Sequence, residues 1–426
     1  MYILQETASF FALTKKMGEL WHHILALPMP TIILFDDPVI RLQLLPFTYT
    51  RPVSAIRCGI SKISEKWSSW LDEDVSYQTA DYLSAAFPLV SSSDNIYING
   101  GLCPDAGLVE EIQKLPPQSA LVSGNDILTV RSNAAWQSDM GVSDFAQLIY
   151  AKPFTLIRNV WDIFALNGEQ IKADFGKITA NRVSEALNDP FTHCYNPANI
   201  FIESGATVKA SILNAENGPI YIGKDALIQE GSMIQGPFSI GEGGVLAQGT
   251  KIRPNTTVGP FSKLGGEVSN CVIFGYSNKG HDGYLGNSVL GEWCNLGANT
   301  NNSNLKNDHS SVKLHSYVSN NLVDTGLRFC GLMMGDYSKA GISTMFNTGS
   351  VVGVSVNVFG AGFQAKHTPS FSWGGNAEGF AEYRFQKALH VAQDTVSRRN
   401  VTFGEDDERI LKAVFEQTRE QRDFEC

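Results

Sequence analysis

From Ile222 to Leu264 an aliphatic residue returns at every sixth position: Ile222, Ile228, Ile234, Ile240, Leu246, Ile252, Val258 and Leu264, without a break. A second run, Met334, Ala340, Phe346, Val352 and Val358, keeps the same spacing. An amphipathic helix repeats at about 3.6 residues and a half-buried strand alternates at two, so neither produces this pattern. A hexapeptide period marks a parallel β-helix, in which each hexapeptide forms one short strand and one corner of a three-sided coil. The aliphatic side chain points inward, and coils stack through main-chain hydrogen bonds. Each buried Ile, Val or Leu contributes about 1.5–3 kcal/mol. Glycine, which often follows the aliphatic residue, suits the tight corners because some of them need positive φ.

Weaker matches at Ile202 and Val208 place the start of the prism near Asn199, and the pattern extends over 199–375. It is interrupted at 214–219, 277–284 and 301–314. Loops that leave a rigid scaffold at fixed points are natural carriers of function.

The rest of the chain divides around this block. Residues 1–28 hold one amphipathic stretch, including His22-His23, without the basic start or cleavage site of a signal peptide, and read as a dispensable extension. Residues 29–155 open on the apolar strand TIILF, 156–198 read as a helical connecting arm, and 376–426 as a tail of two amphipathic helices with Gly404 between them. That tail would cap the prism or pack on a neighbour. The 33 Lys and Arg against 43 Asp and Glu give a net charge of −10, which argues against a general nucleic-acid binder. A few local cations would still hold a phosphosugar. The seven cysteines are scattered, with no CxxC, so a disulfide framework or structural zinc is not expected, and a reducing cytoplasm fits best. No apolar run approaches ~20 residues, so no membrane-spanning helix is expected.

The second interruption carries the chemistry. The stretch SNKGHDGYLGNSVLGEWCNLGANTNNSNL, Ser277 to Leu305, sets one histidine, a tyrosine three residues on, and a run of asparagines among glycines and aliphatic residues. The blocks Lys279-Gly280-His281-Asp282-Gly283-Tyr284-Leu285-Gly286 and Asn295-Leu296-Gly297-Ala298-Asn299-Thr300 resemble the acetyltransferase half of the bifunctional glucosamine-1-phosphate acetyltransferase/N-acetylglucosamine-1-phosphate uridylyltransferase family. That resemblance implies a left-handed hexapeptide β-helix assembled as a homotrimer, acetyl-CoA as cosubstrate, and an amino sugar phosphate or sugar nucleotide as acceptor. It places His281 as general base, a role imidazole suits because it titrates near neutrality. It places Glu267 beside the substrate, where it would orient His281 or hold the sugar amine. It implies Arg253 and Tyr284 at the sugar phosphate, Asn295 and Asn304 at the sugar, and the main chain near Ala298 at the acyl thioester. Two departures weaken the phosphate clamp: Ser269 stands where the family has lysine, and Leu305 where it has an aromatic residue. Asn301 and Asn302 read equally well as turn formers.

The opening of the amino-terminal half, TIILFDDPVIRLQLLPFTYTR, resembles that of sugar-phosphate nucleotidyltransferases, which implies an α/β, Rossmann-like domain. In that frame Arg41 and Leu45-Pro46 fall on motif positions. Asp36, Asp37 and Val39 replace small residues and glycines, and Phe47 replaces a lysine. Glycines there let main-chain N–H groups approach a triphosphate, and two carboxylates would repel it unless a metal lay between. The resemblance therefore leaves Arg41 and Arg51 as nucleotide-binding candidates and Asp36 and Asp37 as ligands for Mg²⁺, needed only if this domain is active. The reading that results is an acyl-CoA-dependent transferase with an altered nucleotidyltransferase-like domain. The alternatives are a nucleotidyltransferase with the prism as assembly scaffold, and a non-catalytic sugar-nucleotide binder.

Overall fold

The computed structural model describes residues 30–422 and Phe424; the extension expected over 1–28 lies outside them. The chain begins with a six-stranded mixed sheet in the order Val75–Gln78, Thr31–Phe35, Asn95–Asn99, Asp126–Ser132, Ser119–Ser123, Ala146–Ile149. The period of two is visible in its packing. Ile32, Leu34, Ile96 and Ile98 point into one apolar cluster, while Ile33, Phe35 and Tyr97 point into another around Trp136. Helices α1 (Pro38–Gln43), α2 (Ile63–Leu71), α3 (Ala106–Gln113) and α4 (Asn167–Thr179) accompany it.

A parallel β-helix follows. Its first face stacks nine strands from Ile200–Ile202 to His367–Thr368, and its second face ten from Thr207–Val208 to Gly379–Glu382. The third face stacks six from His193–Tyr195 to Tyr284–Gly286. The residues of both hexapeptide runs are buried and form one continuous interior cluster. The corner between the first and second faces carries a different column. Phe261, Tyr276, Trp293 and Tyr337 all adopt φ between 54° and 62°, and their rings stack in series with centroids 5.3, 4.2 and 6.4 Å apart. Left-handed backbone costs an ordinary residue roughly 1–2 kcal/mol; mutual stacking and burial offset it.

The two units share a core along the first face. Phe47, Val53 and Ile56 lie in the same cluster as Val272, Phe274, Val289 and Met333. Phe47 is fully buried, with its ring 5.2 Å from that of Phe274. This gives a physical reason for Phe47 at a position where the resemblance calls for lysine: an ammonium would be buried against an aromatic wall. Polar pins reinforce the seam. Thr257 Oγ1 donates to the Gly59 carbonyl at 2.9 Å, Asn167 Nδ2 to that of Asn255 at 2.9 Å, and Arg57 Nε to that of Phe274 at 3.0 Å. The segment read as a connecting arm is no free arm in its first half. Leu156 pairs with Leu102, and Ile157, Ile163, Phe164 and Ile171 are buried. Asp174 of α4 pairs with the buried Lys66 at 3.0 Å.

Helices α5 (Phe385–Ser397) and α6 (Glu405–Gln417) form the tail, with Gly404 as N-cap of α6. Their apolar stripes meet Val354 and Phe371 of the prism and Tyr49 and Leu83 of the amino-terminal unit. The interruption after Asn302 holds an antiparallel hairpin, Lys313–Ser316 with Asn321–Asp324. His315 on this hairpin stacks on His367 of the prism, centroids 3.6 Å apart. Burial pushes the His367 imidazole down to about 3, and the neighbouring His315 adds to the shift. A folded-state pKa below the unfolded value of about 6.5 contributes stability that is present above pH 6.5 and is lost as pH falls toward 3. The melting temperature should therefore drop as pH is lowered from 6.5 to 4, and His367→Phe should flatten that dependence; an unchanged slope in the variant would assign the acid sensitivity elsewhere.

Candidate functional site

The third face of the prism, with the edge that leads onto it from the second, carries most of the residues singled out from the sequence. Strand Lys251–Ile252 is followed on the next coil by Glu267–Ser269 and on the next by Tyr284–Gly286, all on the third face. Tyr284 lies directly over Glu267 in the ladder. Arg253, at the end of the lowest of these strands, pairs its Nε with Glu267 at 2.8 Å. Glu267 is thus engaged by Arg253. The hydroxyl of Tyr284 accepts from Asn304 Nδ2 at 3.0 Å, and the same amide donates to Asn287 at 2.8 Å. Burial raises the Tyr284 phenol, so it stays protonated and can donate onward.

His281 sits on the edge itself, in the corner joining Asn278–Lys279 to Tyr284–Gly286, and its side chain is exposed. Ala298 occupies the same corner one coil along: the Asn299 N–H bonds the Asp282 carbonyl at 3.0 Å, and the Ala298 carbonyl accepts from Ser343 at 2.8 Å. Coils rise by about 4.8 Å, so the imidazole and the Ala298 main chain are neighbours along one edge. Gly283 makes the corner possible. Its φ is +125°, and a Cβ there would fall 2.2 Å from the Thr300 carbonyl oxygen. Asn295 does not join this group. It lies on the second face, where its Oδ1 accepts from Asn278 at 2.8 Å.

Two polar residues occupy inward positions beside this corner. Lys279 follows Leu264 in the interior column of the second face and is 1% exposed. Its ammonium donates to the carbonyls of His281, at 2.9 Å, and Gly265, at 3.2 Å, and burial brings it down to about 8. It ties the His281 loop down from inside. Sequence reasoning did not single it out; the available signal was a lysine where the register demands an aliphatic residue. Asn302 is also buried, and with Asn301 it answers why asparagines crowd this stretch. The Tyr284 N–H bonds Asn301 Oδ1 at 2.7 Å, the Gly286 N–H bonds Asn302 Oδ1 at 2.8 Å, and Asn302 Nδ2 returns a bond to the Gly286 carbonyl at 3.0 Å. Side-chain amides complete the rung where main-chain pairing lapses. They hold the scaffold rather than a ligand.

The amino-terminal candidates are occupied internally, which corrects the expectation for them. Asp37 is the N-cap of α1, its Oδ1 accepting from Val39 and Ile40 at 2.9 and 3.0 Å. Asp36 is buried and accepts from Arg41 at 2.7 Å, Thr79 at 2.6 Å and the Val53 N–H at 2.8 Å. Arg41 spends its second terminal nitrogen on the Thr48 carbonyl and the Tyr82 hydroxyl. A carboxylate neutralised by its own arginine and a carboxylate capping a helix do not fit a Mg²⁺ site. Among the described residues no group of three or more His, Cys, Asp and Glu could hold a metal ion. Arg51 is likewise no open nucleotide ligand: it is buried at the seam, bonded to Asp336 and 3.3 Å from Glu292. Among the described residues no helix is long and apolar enough to cross a membrane.

Residues 32–183 match the family model described as sugar nucleotidyl transferase. The bifunctional sugar-1-phosphate nucleotidylyltransferase/acetyltransferase of Sulfurisphaera tokodaii is 32% identical over 144 residues, 33% of this chain and 35% of that protein. The bifunctional protein GlmU of Methanocaldococcus jannaschii is 36% identical over 104 residues, 24% of each. The uncharacterised acetyltransferase YaiX of Escherichia coli K12 is 27% identical over 143 residues, 33% of this chain and 61% of that one. The chain thus spans only about a quarter to a third of the length of the first two relatives. A solved UDP-N-acetylglucosamine acyltransferase from Arabidopsis overlaps with a TM-score of 0.25 at 13% identity, covering 50% of this chain and 78% of that one, too loosely to add weight.

Replacing Asn302 by Ala would leave the buried N–H of Gly286 without a partner, while its carbonyl keeps the Ser288 hydroxyl, at about 1–3 kcal/mol for the unsatisfied group. Urea unfolding should show a loss of that order for Asn302→Ala and a much smaller one for Asn307→Ala at an exposed position nearby. Equal, small losses would refute the rung-completing role.

Proposed function

The chain is a divergent relative of the bifunctional sugar-phosphate nucleotidyltransferase/acetyltransferases, and from that premise we propose that it is an acyl-CoA-dependent transferase acting on an amino sugar phosphate or sugar nucleotide. The observation that carries this reading is that His281 and Ala298 share the edge leading onto the third face, and that Glu267, Arg253, Tyr284 and Asn304 lie along that face. Imidazole at an exposed corner can take a proton from an amine at neutral pH. The amine nitrogen attacks the thioester carbonyl, forming the C–N bond; His281 takes the proton, the C–S bond breaks, and the thiolate of coenzyme A leaves. Main-chain N–H groups of the corner steady the oxyanion. Arg253, held by Glu267, and the protonated Tyr284 face the acceptor's phosphate, with Asn304 fixing the phenol. Lys279 keeps the His281 loop in place from within.

The amino-terminal unit serves this activity without metal chemistry of its own, because Asp36, Arg41 and Asp37 are committed to internal bonds. Its role is structural, through the core it shares with the first face. The exposed edge needs a wall, and a homotrimer with a neighbouring prism against each edge supplies one.

Acyl transfer with acetyl-CoA and a panel of amino sugars, amino sugar phosphates and their nucleotides tests the reading. His281→Ala should lower kcat by about 10²–10⁴-fold, the usual worth of a general base, with little change in KM for the acyl donor. Full activity in that variant would overturn the mechanism. Light scattering on the intact chain should give three times the monomer mass; an active monomer would remove the neighbour from the site.

A further inference from the structure

The second face of the prism carries a cleft that the acyl-transfer edge does not use. Its outward column reads Lys263, Asn278, Asn295, Lys339, Asn357 along successive coils. Helix α5 lies across this column and leaves a cleft of about 490 Å³, lined on the prism side by Tyr276, Trp293, Asn278, Asn295 and Lys339 and on the helix side by Asp394, Thr395, Arg398 and Arg399. That volume falls within the range of small-molecule sites, about 300–1,000 Å³.

The charges are unbalanced. Three cations face one carboxylate, Asp394, and that carboxylate is held by Arg398 at 2.8 Å. In a chain of net charge −10 such a concentration of positive charge runs against the average. Lys339 stands at the centre. Among the described residues its ammonium has no hydrogen-bond partner, and the groups that act on it do so only through their charge; burial, together with repulsion from Arg398, lowers its pKa. A half-sequestered ammonium with no partner on the protein is free to take an anion. The Asn278–Asn295 amide pair supplies donors and acceptors beside it, as needed for hydroxyls, and the Tyr276–Trp293 stack forms an aromatic wall.

We propose that this cleft binds a phosphorylated small molecule, with Lys339 and Arg398 on the phosphate and the Asn278–Asn295 pair on the attached hydroxyl-bearing group. The site shares only Asn295 with the acyl-transfer reading and stands without it. The phosphate could belong to a sugar phosphate or to a nucleoside diphosphate; the aromatic wall accommodates a base, and the amides suit either.

Isothermal titration of the full chain at low ionic strength, with inorganic pyrophosphate, glucose 1-phosphate and UDP as probes, tests it. At least one probe should bind, more weakly as salt rises. Lys339→Met should weaken it at least tenfold and Arg398→Ala several-fold, with unchanged melting temperatures. UDP binding at least tenfold tighter than pyrophosphate would assign a nucleotide, and glucose 1-phosphate tighter than pyrophosphate a sugar phosphate. No binding of any probe at millimolar concentration, or equal affinity in wild type and both variants, would overturn the proposal. Arg398→Ala, on the exposed rim, keeps the test open if Lys339→Met fails to fold. His281→Ala should leave pyrophosphate binding untouched, so the two sites fail separately.

Discussion

The interior of the prism is built on a buried column that recurs at every sixth residue, and everything else in this molecule is arranged around that column. Main-chain hydrogen bonds fix the spacing of the coils, so the interior has a set width, and a close-packed interior has little tolerance for a misfit. Ile, Leu and Val fill most of it from Val208 to Val358, with Met334, Ala340 and Phe346 in the later coils. Where the rule is broken, the polar head of the intruder must find partners on the main chain. Lys279 does so through two carbonyls and Asn302 through the N–H and carbonyl of Gly286. Both exceptions adjoin the corner that displays His281, which is the part of the prism that departs most from a regular stack.

The same stiffness explains how two units become one body. A parallel sheet presents its outer face as a flat surface, and here the first face is covered by the amino-terminal unit through Phe47, Phe274 and the residues around them. The tail helices close the remaining junction by meeting both units at once. The first face is partly covered and the second partly roofed by α5, and the edge between the second and third faces, where His281 is exposed, is open to a substrate or a neighbour. A buried ionic knot, Arg51 with Asp336 and Glu292, lies at this junction. Its desolvation cost offsets much of its Coulombic gain, so it is no large source of net stability.

The amino-terminal unit illustrates how a motif can persist in outline while its chemistry is reassigned. The strand, the arginine and the Leu-Pro step keep their order, but Asp36 and Arg41 neutralise each other and Asp37 caps a helix. Residues that would crowd a triphosphate instead stabilise the local backbone. Phe47 is committed to the prism, so no lysine stands at that position.

The hexapeptide period alone determined the prism and its inward column, because a repeat of six sends the same position of every hexapeptide into the interior. Alternation in TIILF and the helical stripes of the tail were equally readable, being local consequences of period. Tertiary structure decided the rest. Which side-chain oxygen takes which donor depends on residues far apart in the chain, as with Arg51 and Asp336, so the reassignment of Asp36, Arg41 and Arg51 was invisible in one dimension. The separation of Asn295 from Tyr284 followed from the turn of a three-sided coil, which sends residues eleven apart to different faces. The cleft around Lys339 exists only because α5, more than forty residues further along, folds back over the second face.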